Sequence, residues 1–309
     1  MKTMYKLLRK TAWYSFGRGI CAIAFAVSFA SAHGQNLFIA NFGANAIYEY
    51  TPGGALSVFT SGLDGPFALA FDSQGNLFAA NVYNSTIVRI TPSGAQSTFA
   101  DGPMLNMPAG LAFNAAGDLF VSNLGSGTIT EITPTGVQST FVSGLSKPEG
   151  LAFDSAGDLF AADYATGCIY EFASDGTRTT FATGLSAPYG IAFNAAGNLF
   201  EADGNSGNVY EFTPGGVQST VARVVGNPFG LAFSNTGNLF VAAANTGYMT
   251  EITPDGVERG ISIGFNARGL AFQGQSLPVP EPPVLGLITF GAILFLLGCH
   301  RELPYYQAD

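Results

Sequence analysis

Short apolar stretches alternate with polar turns through most of the chain, and they return at a fixed spacing. Each unit carries Leu-Phe behind an Asn or Asp, an alternating Ile-x-Glu-type stretch, a Thr-Pro-x-Gly turn, a polar Ser-Thr-Phe stretch and Pro-x-Gly-Leu-Ala-Phe. Short apolar or alternating stretches bounded by Gly, Pro, Asn and Asp predict β-strands. No stretch within these units has helical periodicity, so the pattern predicts an all-β domain.

The unit occurs six times, with successive starts 40, 42, 40, 40 and 40 residues apart. A period near 40 made of short strands is typical of a β-propeller, in which each unit forms one blade of four antiparallel strands. The copies begin at Asn36, Asn76, Asp118, Asp158, Asn198 and Asn238. Because each blade buries its faces only against its neighbours, the six units predict one six-bladed domain over residues 33–275.

The two ends of the repeat are out of phase with the blades. The chain enters the domain at Asn36, on a second strand, and leaves it through residues 269–272, a first strand with no partner after it. We therefore expect residues 268–273 to form the innermost strand of the blade whose other three strands come from residues 36–60. A blade made from both ends closes the ring and removes two free edges, whereas the alternative, an open β-solenoid, would need distinct capping repeats.

The charge of the domain excludes one class of partner. Residues 33–282 include six basic and nineteen acidic residues, a net charge near −13. Scattered arginines on an acidic domain cannot neutralise phosphates, so we expect no nucleic acid partner and no attraction to anionic membrane surfaces. Of the three cysteines only Cys168 lies within the repeats, so the domain can form no internal disulfide.

Residues 1–32 have the pattern of a secretory signal peptide. Five basic residues precede or flank a short apolar segment over residues 20–29, and Ala30-Ser31-Ala32 has the small-x-small form of a cleavage site. The alternative is a membrane helix, for which ten apolar residues are too few. We expect export through the Sec machinery and a mature chain that begins near His33.

Residues 276–309 contain a Pro-Glu-Pro motif and an apolar stretch. Val279-Pro280-Glu281-Pro282 is followed by an apolar stretch over residues 284–299 and then by His300 and Arg301. This order of elements resembles the PEP-CTERM sorting signal of Gram-negative bacteria. The resemblance implies recognition of this tail by an exosortase. The tail has one Arg rather than a basic cluster, and eight further residues follow it. An ordinary membrane anchor is the alternative, and in both cases the domain lies outside the cytoplasm and meets a membrane only through this tail.

The repeat resembles that of NHL-repeat propellers and of the related gluconolactonase-like and streptogramin-lyase-like six-bladed propellers. The motif that carries the resemblance is Pro-x-Gly-Leu-Ala-Phe-Asp-x-x-Gly-[Asn/Asp]-Leu-Phe-x-Ala-Asp, and it covers nearly the whole domain. The resemblance implies the six-bladed fold, with ligands at the mouth of the central channel. It leaves activity open, because these families include both enzymes and binding modules.

Two positions of the repeat point to the channel mouth in the resembled families. The first, between Pro and Gly, carries Phe67, Ala109, Glu149, Tyr189, Phe229 and Arg268. Glu149 and Arg268 are three blades apart, so they should face each other across the channel. Aromatic faces with two opposite charges suit a small binding cup for an apolar or sugar surface. The alternative is that the aromatic rings plug the channel and the charges are solvated at its rim.

The second position ends the second strand of each blade and carries Asn41, Asn81, Asn123, Asp163, Asp203 and Ala243. Oxygen ligands from adjacent blades could hold Ca²⁺, for which Glu149, Asp163 and Asp203 are the candidates. The alternative, which five similar residues in six blades favour, is that each side chain caps the turn after its strand. We therefore expect no cofactor. If the second-position residues do bind an ion, we expect it to be Ca²⁺.

The catalytic residues that the resemblance implies are mostly missing. Lactonases of this kind place Glu, Asn and Asp metal ligands at the Pro-x-Gly position, where only Glu149 matches. Streptogramin lyases use histidines, and His33 and His300 are the chain's two histidines, both outside the repeats. Acid–base chemistry by Glu149 or Glu201 remains open.

We expect an exported, non-catalytic binding or scaffold propeller at the envelope or outer surface of a Gram-negative bacterium, with an exopolysaccharide, another glycan or a matrix protein as partner. The alternative is a divergent metal-dependent lactonase, hydrolase or lyase of the same propeller class.

Overall fold

The computed structural model describes residues 34–274, which form six four-stranded antiparallel sheets with no helix among them. The innermost strands are β4 (Pro66–Phe71), β8 (Pro108–Phe113), β12 (Pro148–Phe153), β16 (Pro188–Phe193), β20 (Asn227–Phe233) and β24 (Ala267–Phe272). The second strands are β1 (Leu37–Asn41), β5 (Leu77–Asn81), β9 (Leu119–Asn123), β13 (Leu159–Asp163), β17 (Leu199–Asp203) and β21 (Leu239–Ala244).

The two outer positions of each sheet are equally regular. The third strands are β2 (Ala46–Tyr50), β6 (Thr86–Ile90), β10 (Thr128–Ile132), β14 (Cys168–Phe172), β18 (Asn208–Phe212) and β22 (Tyr248–Ile252). The outermost strands are β3 (Leu56–Ser61), β7 (Gln96–Ala100), β11 (Gln138–Val142), β15 (Arg178–Ala182), β19 (Gln218–Arg223) and β23 (Glu258–Ser262). Blade 1 is the sheet β24-β1-β2-β3, and blades 2 to 6 follow in chain order.

The blades close into a ring. Each innermost strand contacts the innermost strand of the next blade, from β4 through β8, β12, β16 and β20 to β24, and β24 contacts β4 again. This arrangement confirms the predicted all-β, six-bladed propeller.

Blade 1 is built from both ends of the repeat, as the phase of the pattern predicted. Strand β24 pairs antiparallel with β1, and Leu37 lies opposite Phe272. The Gln273 amide donates to the Asn36 carbonyl oxygen at 3.1 Å, where blade 4 has the equivalent bond from Asp154 to Asp158 at 3.0 Å. The turn that is continuous in the other blades is therefore reproduced here by two separate segments.

A repeated group of three phenylalanines joins neighbouring blades at four of the six interfaces. Phe38 of β1 meets Phe59 of β3 edge to face at 4.8 Å and Phe71 of β4, in blade 2, at 5.2 Å. The same trio recurs around Phe78, Phe120 and Phe160. Such pairs contribute about 0.5–1.5 kcal/mol beyond the burial of their area. The Leu-Phe, Ser-Thr-Phe and Leu-Ala-Phe elements of the repeat are therefore the parts of one inter-blade contact.

The predicted signal peptide over residues 1–32 and the predicted sorting signal over residues 276–309 lie outside the described residues. Within residues 34–274 there is no helix with the length and apolar character needed to cross a bilayer.

Candidate functional site

The six innermost strands enclose a cavity of about 80 Å³ in the central channel. The cavity lies toward the end of the channel where these strands begin, because its lining residues come from the first half of each strand. Six side chains from the first predicted position line it: Phe67, Ala109, Glu149, Tyr189, Phe229 and Arg268.

A β-bulge in each innermost strand sets the direction of these side chains. In blade 4, Pro148 pairs with Asp163 and Leu151 with Ala161, so two residues of β12 lie opposite one residue of β13. A register shift occurs at the equivalent place in all six blades. Bulges re-aim side chains and are common beside functional sites. Sequence reasoning missed the bulge, although a Gly inside a strand pattern is its usual signal.

The bulge also brings the inner strands close together. A Cβ atom on Gly150 would overlap the carbonyl oxygen of Tyr189 in blade 5, and one on Gly190 would overlap the carbonyl oxygen of Phe229 in blade 6. Only glycine allows this approach, which keeps the channel narrow. Blade 2 has Ala68 at the equivalent position, so the gap between blades 2 and 3 accommodates a methyl group.

Aromatic rings form a continuous row across the channel mouth. Tyr189 stacks on Phe229 with ring centroids 4.3 Å apart, and Phe229 meets Phe67 edge to face at 5.1 Å. Three rings from the loops after the second strands extend the row at both ends: Tyr164 against Tyr189, Phe42 against Phe67, and Tyr83 against Phe42. Tyr83 and Tyr164 are exposed, so the outer ends of the row face solvent.

Sequence reasoning missed these loop residues. Phe42 and Tyr164 directly follow the Asn or Asp that ends the second strand, and an aromatic residue at that place in the repeat was the available signal. It also missed Gly204, whose lack of a side chain leaves room for the Tyr189 ring.

Arg268 packs against the same aromatic row. Its guanidinium carbon lies 4.4 Å from the ring centroid of Phe229 and 5.7 Å from those of Phe67 and Phe42. Cation–π contacts of this kind hold a guanidinium in place. The buried Nε has no hydrogen-bond partner among the described residues.

Glu149 lines the same cavity from blade 4. Its side chain is 7% exposed, and the buried Oε2 has no hydrogen-bond partner among residues 34–274. Burial raises the pKa of Glu149 to about 8, although Arg268 and then Lys147 act in the opposite direction. The described part of the chain contains no ion pair between Glu149 and Arg268. Burial and the nearby Glu149 together raise the pKa of Tyr189 to about 12.

In blades 3, 4 and 5 the Asn or Asp at the second position accepts hydrogen bonds from backbone amides, whereas the buried Oδ1 of Asn81 has no hydrogen-bond partner among the described residues. Asp163 accepts hydrogen bonds from the amides of Ser146 at 2.8 Å and Lys147 at 3.0 Å. Asp203 accepts one from the Ser186 amide at 2.6 Å, and Asn123 accepts one from the Asn106 amide at 3.0 Å. These bonds tie the second strands of blades 3, 4 and 5 to the loop that enters the same blade.

The donor set at the channel mouth does not fit a divalent metal. Glu149, Asp163 and Asp203 do not come together, and residues 34–274 hold no group of three or more His, Cys, Asp or Glu side chains suited to a metal. Of the six first-position residues only Glu149 offers a carboxylate, and Arg268 brings a positive charge into the same cavity.

No family model matches the chain, and no curated protein matches it. The fold is similar to that of several solved structures. A chain of a nidogen–laminin complex shares 19% identity with a TM-score of 0.71, covering 80% of this chain and 100% of that one. Streptogramin B lyase shares 16% identity with a TM-score of 0.63, covering 79% of this chain and 88% of that one.

A third similar structure is a catalytically inactive histidine-to-alanine variant of virginiamycin B lyase from Staphylococcus aureus with quinupristin. It shares 16% identity with a TM-score of 0.60, covering 75% of this chain and 86% of that one. At these identities the likeness is one of fold.

Proposed function

We propose that this protein is an exported propeller that binds a glycan at its channel mouth without transforming it. The observation that supports this most is the aromatic row, which runs through Tyr189 and Phe229 and carries Arg268 on one side and Glu149 across the cavity. Aromatic faces with a few convergent polar groups are the usual composition of a small-molecule site.

Size restricts how such a ligand binds. A cavity of about 80 Å³ has room for roughly six water molecules, far less than the roughly 300 Å³ of a site that encloses a whole drug-sized ligand. A glycan therefore inserts one substituent into the cavity and lays a ring on the exposed Tyr164, which stacks on Tyr189.

The location is part of the proposal. A signal peptide over residues 1–32 and a PEP-CTERM-like tail over residues 276–309 direct the chain through the Sec machinery and an exosortase to the envelope or outer surface of a Gram-negative cell. The partner there is an exopolysaccharide or another glycan, with a matrix protein as the alternative.

A glycan array of neutral and acidic saccharides tests the proposal. We expect binding by the wild-type protein and at least a tenfold loss in Tyr189→Ala, because Tyr189 lines the cavity and supports Tyr164, and truncating such an aromatic anchor costs about 2 kcal/mol. Val137→Ala is the matched control, since Val137 is exposed in a turn at the opposite end of the propeller. An array without binders, or equal binding by Tyr189→Ala, would contradict the proposal.

A divergent hydrolase or lyase is the second candidate, and Glu149 favours it. A buried carboxyl with a pKa near 8 suits a general acid or base. Against it, residues 34–274 contain no histidine, and five of the six first-position residues cannot hold a metal. Metal analysis of the purified protein, followed by a lactone and ester screen of wild type and Glu149→Gln, separates the two: turnover lost in the variant would favour the enzyme.

A further inference from the structure

The cavity holds a positive charge that no acidic side chain neutralises directly. Arg268 is fixed by the three phenylalanine rings, its Nε lacks a partner, and no carboxylate among the described residues forms an ion pair with it. An Arg placed in this way offers a planar set of donors that matches a carboxylate.

Within residues 34–274, Glu149 is the only residue of the cavity lining that carries a carboxyl group. With a pKa of about 8 it keeps its proton at neutral pH, so the cavity is lined by a neutral carboxylic acid that can donate a hydrogen bond. Around it, blade 5 contributes Tyr189, blade 3 contributes the uncharged Ala109, and Lys147 precedes β12. Asp163, on the paired strand β13, is held by backbone amides.

At neutral pH the lining therefore presents one cation, Arg268, together with the protonated Glu149 and Tyr189, and it presents no anion from the described part of the chain. This combination favours a ligand group with one negative charge. Arg268 would repel a cationic ligand, and a neutral ligand would leave the guanidinium unpaired in a partly buried site.

We propose that the channel mouth is specific for the carboxylate group of an acidic sugar, with Arg268 as the pairing cation and Glu149 as the hydrogen-bond donor. This inference rests on the proposed function and names its ligand class. The cavity accepts the carboxylate, and the sugar ring rests on the exposed Tyr164.

Loss of the Glu149 proton switches the site off. Above its pKa, Glu149 is itself a carboxylate, so it repels the ligand and can no longer donate. For a pKa of about 8, affinity at pH 9.5 should be about 30-fold lower than at pH 6.5, since binding then requires the small protonated fraction.

Titration calorimetry of the full-length protein in nonionic detergent tests this with D-galacturonate and D-galactose, which differ at the C6 carboxylate. We expect galacturonate to bind at least tenfold more tightly at pH 6.5 and to lose that preference at pH 9.5. Glu149→Gln keeps a neutral donor at every pH, so its affinity for galacturonate should be nearly the same at both.

Arg268→Gln should abolish the preference for galacturonate, whereas Arg268→Lys should retain part of it. The matched control is Arg178→Gln, because Arg178 also lies over an aromatic ring, Tyr170 at 4.9 Å, but on an outermost strand. A thermal melt of each variant shows whether it is folded.

The experiments distinguish a failure of the carboxylate inference from a failure of the proposed glycan binding. Equal binding of both sugars that depends on Tyr189 would overturn the carboxylate inference and keep the proposed function. A galacturonate preference that persists in Arg268→Gln, or that is unchanged at pH 9.5 in the wild type, would overturn the inference as well. Binding of neither sugar together with an empty array would overturn both.

Discussion

The side chain of Glu201 is fully buried, and neither carboxyl oxygen has a hydrogen-bond partner among residues 34–274. It lies on the same face of β17 as Leu199, which packs against Phe160 and Ala162 of blade 4, so the carboxyl group is enclosed between blades 4 and 5. The equivalent residues of the other blades are all apolar: Ile39, Ala79, Val121, Ala161 and Val241. Because Glu201 does not reach the channel, it is no longer a candidate for acid–base chemistry.

Replacing this carboxyl group should stabilise the protein. Burial, and secondarily Asp203, raise the pKa of Glu201 well above its usual value. The folded protein therefore keeps the proton where the unfolded chain, with a pKa near 4.3, has lost it, and the free energy of unfolding falls as pH rises above about 4. We expect Glu201→Val to raise stability by about 1–3 kcal/mol at pH 5 and by more at pH 8, measured by denaturant unfolding.

The control is Glu131→Val, at a half-exposed position of β10, which should differ from the wild type by no more than about 0.5 kcal/mol at either pH. A Glu201→Val protein less stable than the wild type would show that the carboxyl group makes a favourable interaction in the folded protein.

The innermost strand of blade 4 combines a bulge with a close backbone contact to blade 5. On Gly150 an added Cβ would meet the Tyr189 carbonyl oxygen, the Ile191 nitrogen and the Gly190 Cα, all backbone atoms. Backbone atoms cannot rotate aside as a side chain does, so a methyl group here must push blades 4 and 5 apart.

We expect Gly150→Ala to lower the free energy of unfolding by about 1–3 kcal/mol, the usual cost of overpacking, and to weaken ligand binding by moving Glu149. Gly260→Ala, on outermost strand β23 with no atom near the added methyl, should be neutral or slightly stabilising. Differential scanning calorimetry of the two variants measures both effects. A Gly150→Ala protein with wild-type stability would mean that the blades separate at little cost.

Elements were more predictable from sequence than the site was. The turns at Asp154–Gly157 and its equivalents, with the apolar stretches between them, determine where each strand starts, because these are local preferences repeated six times. The site depends on directions that spacing does not encode. Tyr164 and Phe42 reach the mouth from loops, and the bulge turns Glu149 and Arg268 into the channel. The resemblance predicted that the residues between Pro and Gly lie at the channel mouth. The aromatic row and the burial of Glu201 are visible only in the structure.

The ring of six blades is closed by one blade that is made of two segments distant in sequence. Strand β24 pairs with β1 and also packs against β4 and β20, so losing it exposes the edge of β1 and opens both neighbouring interfaces. Deleting residues 268–274 from the isolated propeller should therefore give an aggregating product by size-exclusion chromatography. A soluble product that unfolds cooperatively would contradict this closure.

Two circular permutants test whether a blade shared between the two chain ends stabilises the ring, because both keep all the strands of the wild type. In both, a Ser-Ala-Gly linker joins Gln273 to Asn36, reproducing the turn that blade 4 forms between Asp154 and Asp158. One permutant places its new ends inside blade 4, between Ser155 and Ala156, so that a blade is again made from both ends. The other places them between blades 3 and 4, between Ser143 and Gly144, so that every blade is continuous and only side-chain packing joins the ends of the ring. All four residues at the cut sites are exposed, so neither cut breaks the core.

If the shared blade holds the ring together, the first permutant should melt near the wild-type temperature and the second at least about 4 °C lower, which for a domain of this size corresponds to roughly 1–2 kcal/mol. Hydrogen exchange should then show the earliest opening of the second permutant along β11 and β12, where its ring has no shared strand. Equal melting temperatures would mean that packing between neighbouring blades, with the phenylalanine trios at its centre, is sufficient to keep the ring closed. The strand contributed by the C-terminal end of the repeat would in that case serve only to cover the edge of β1.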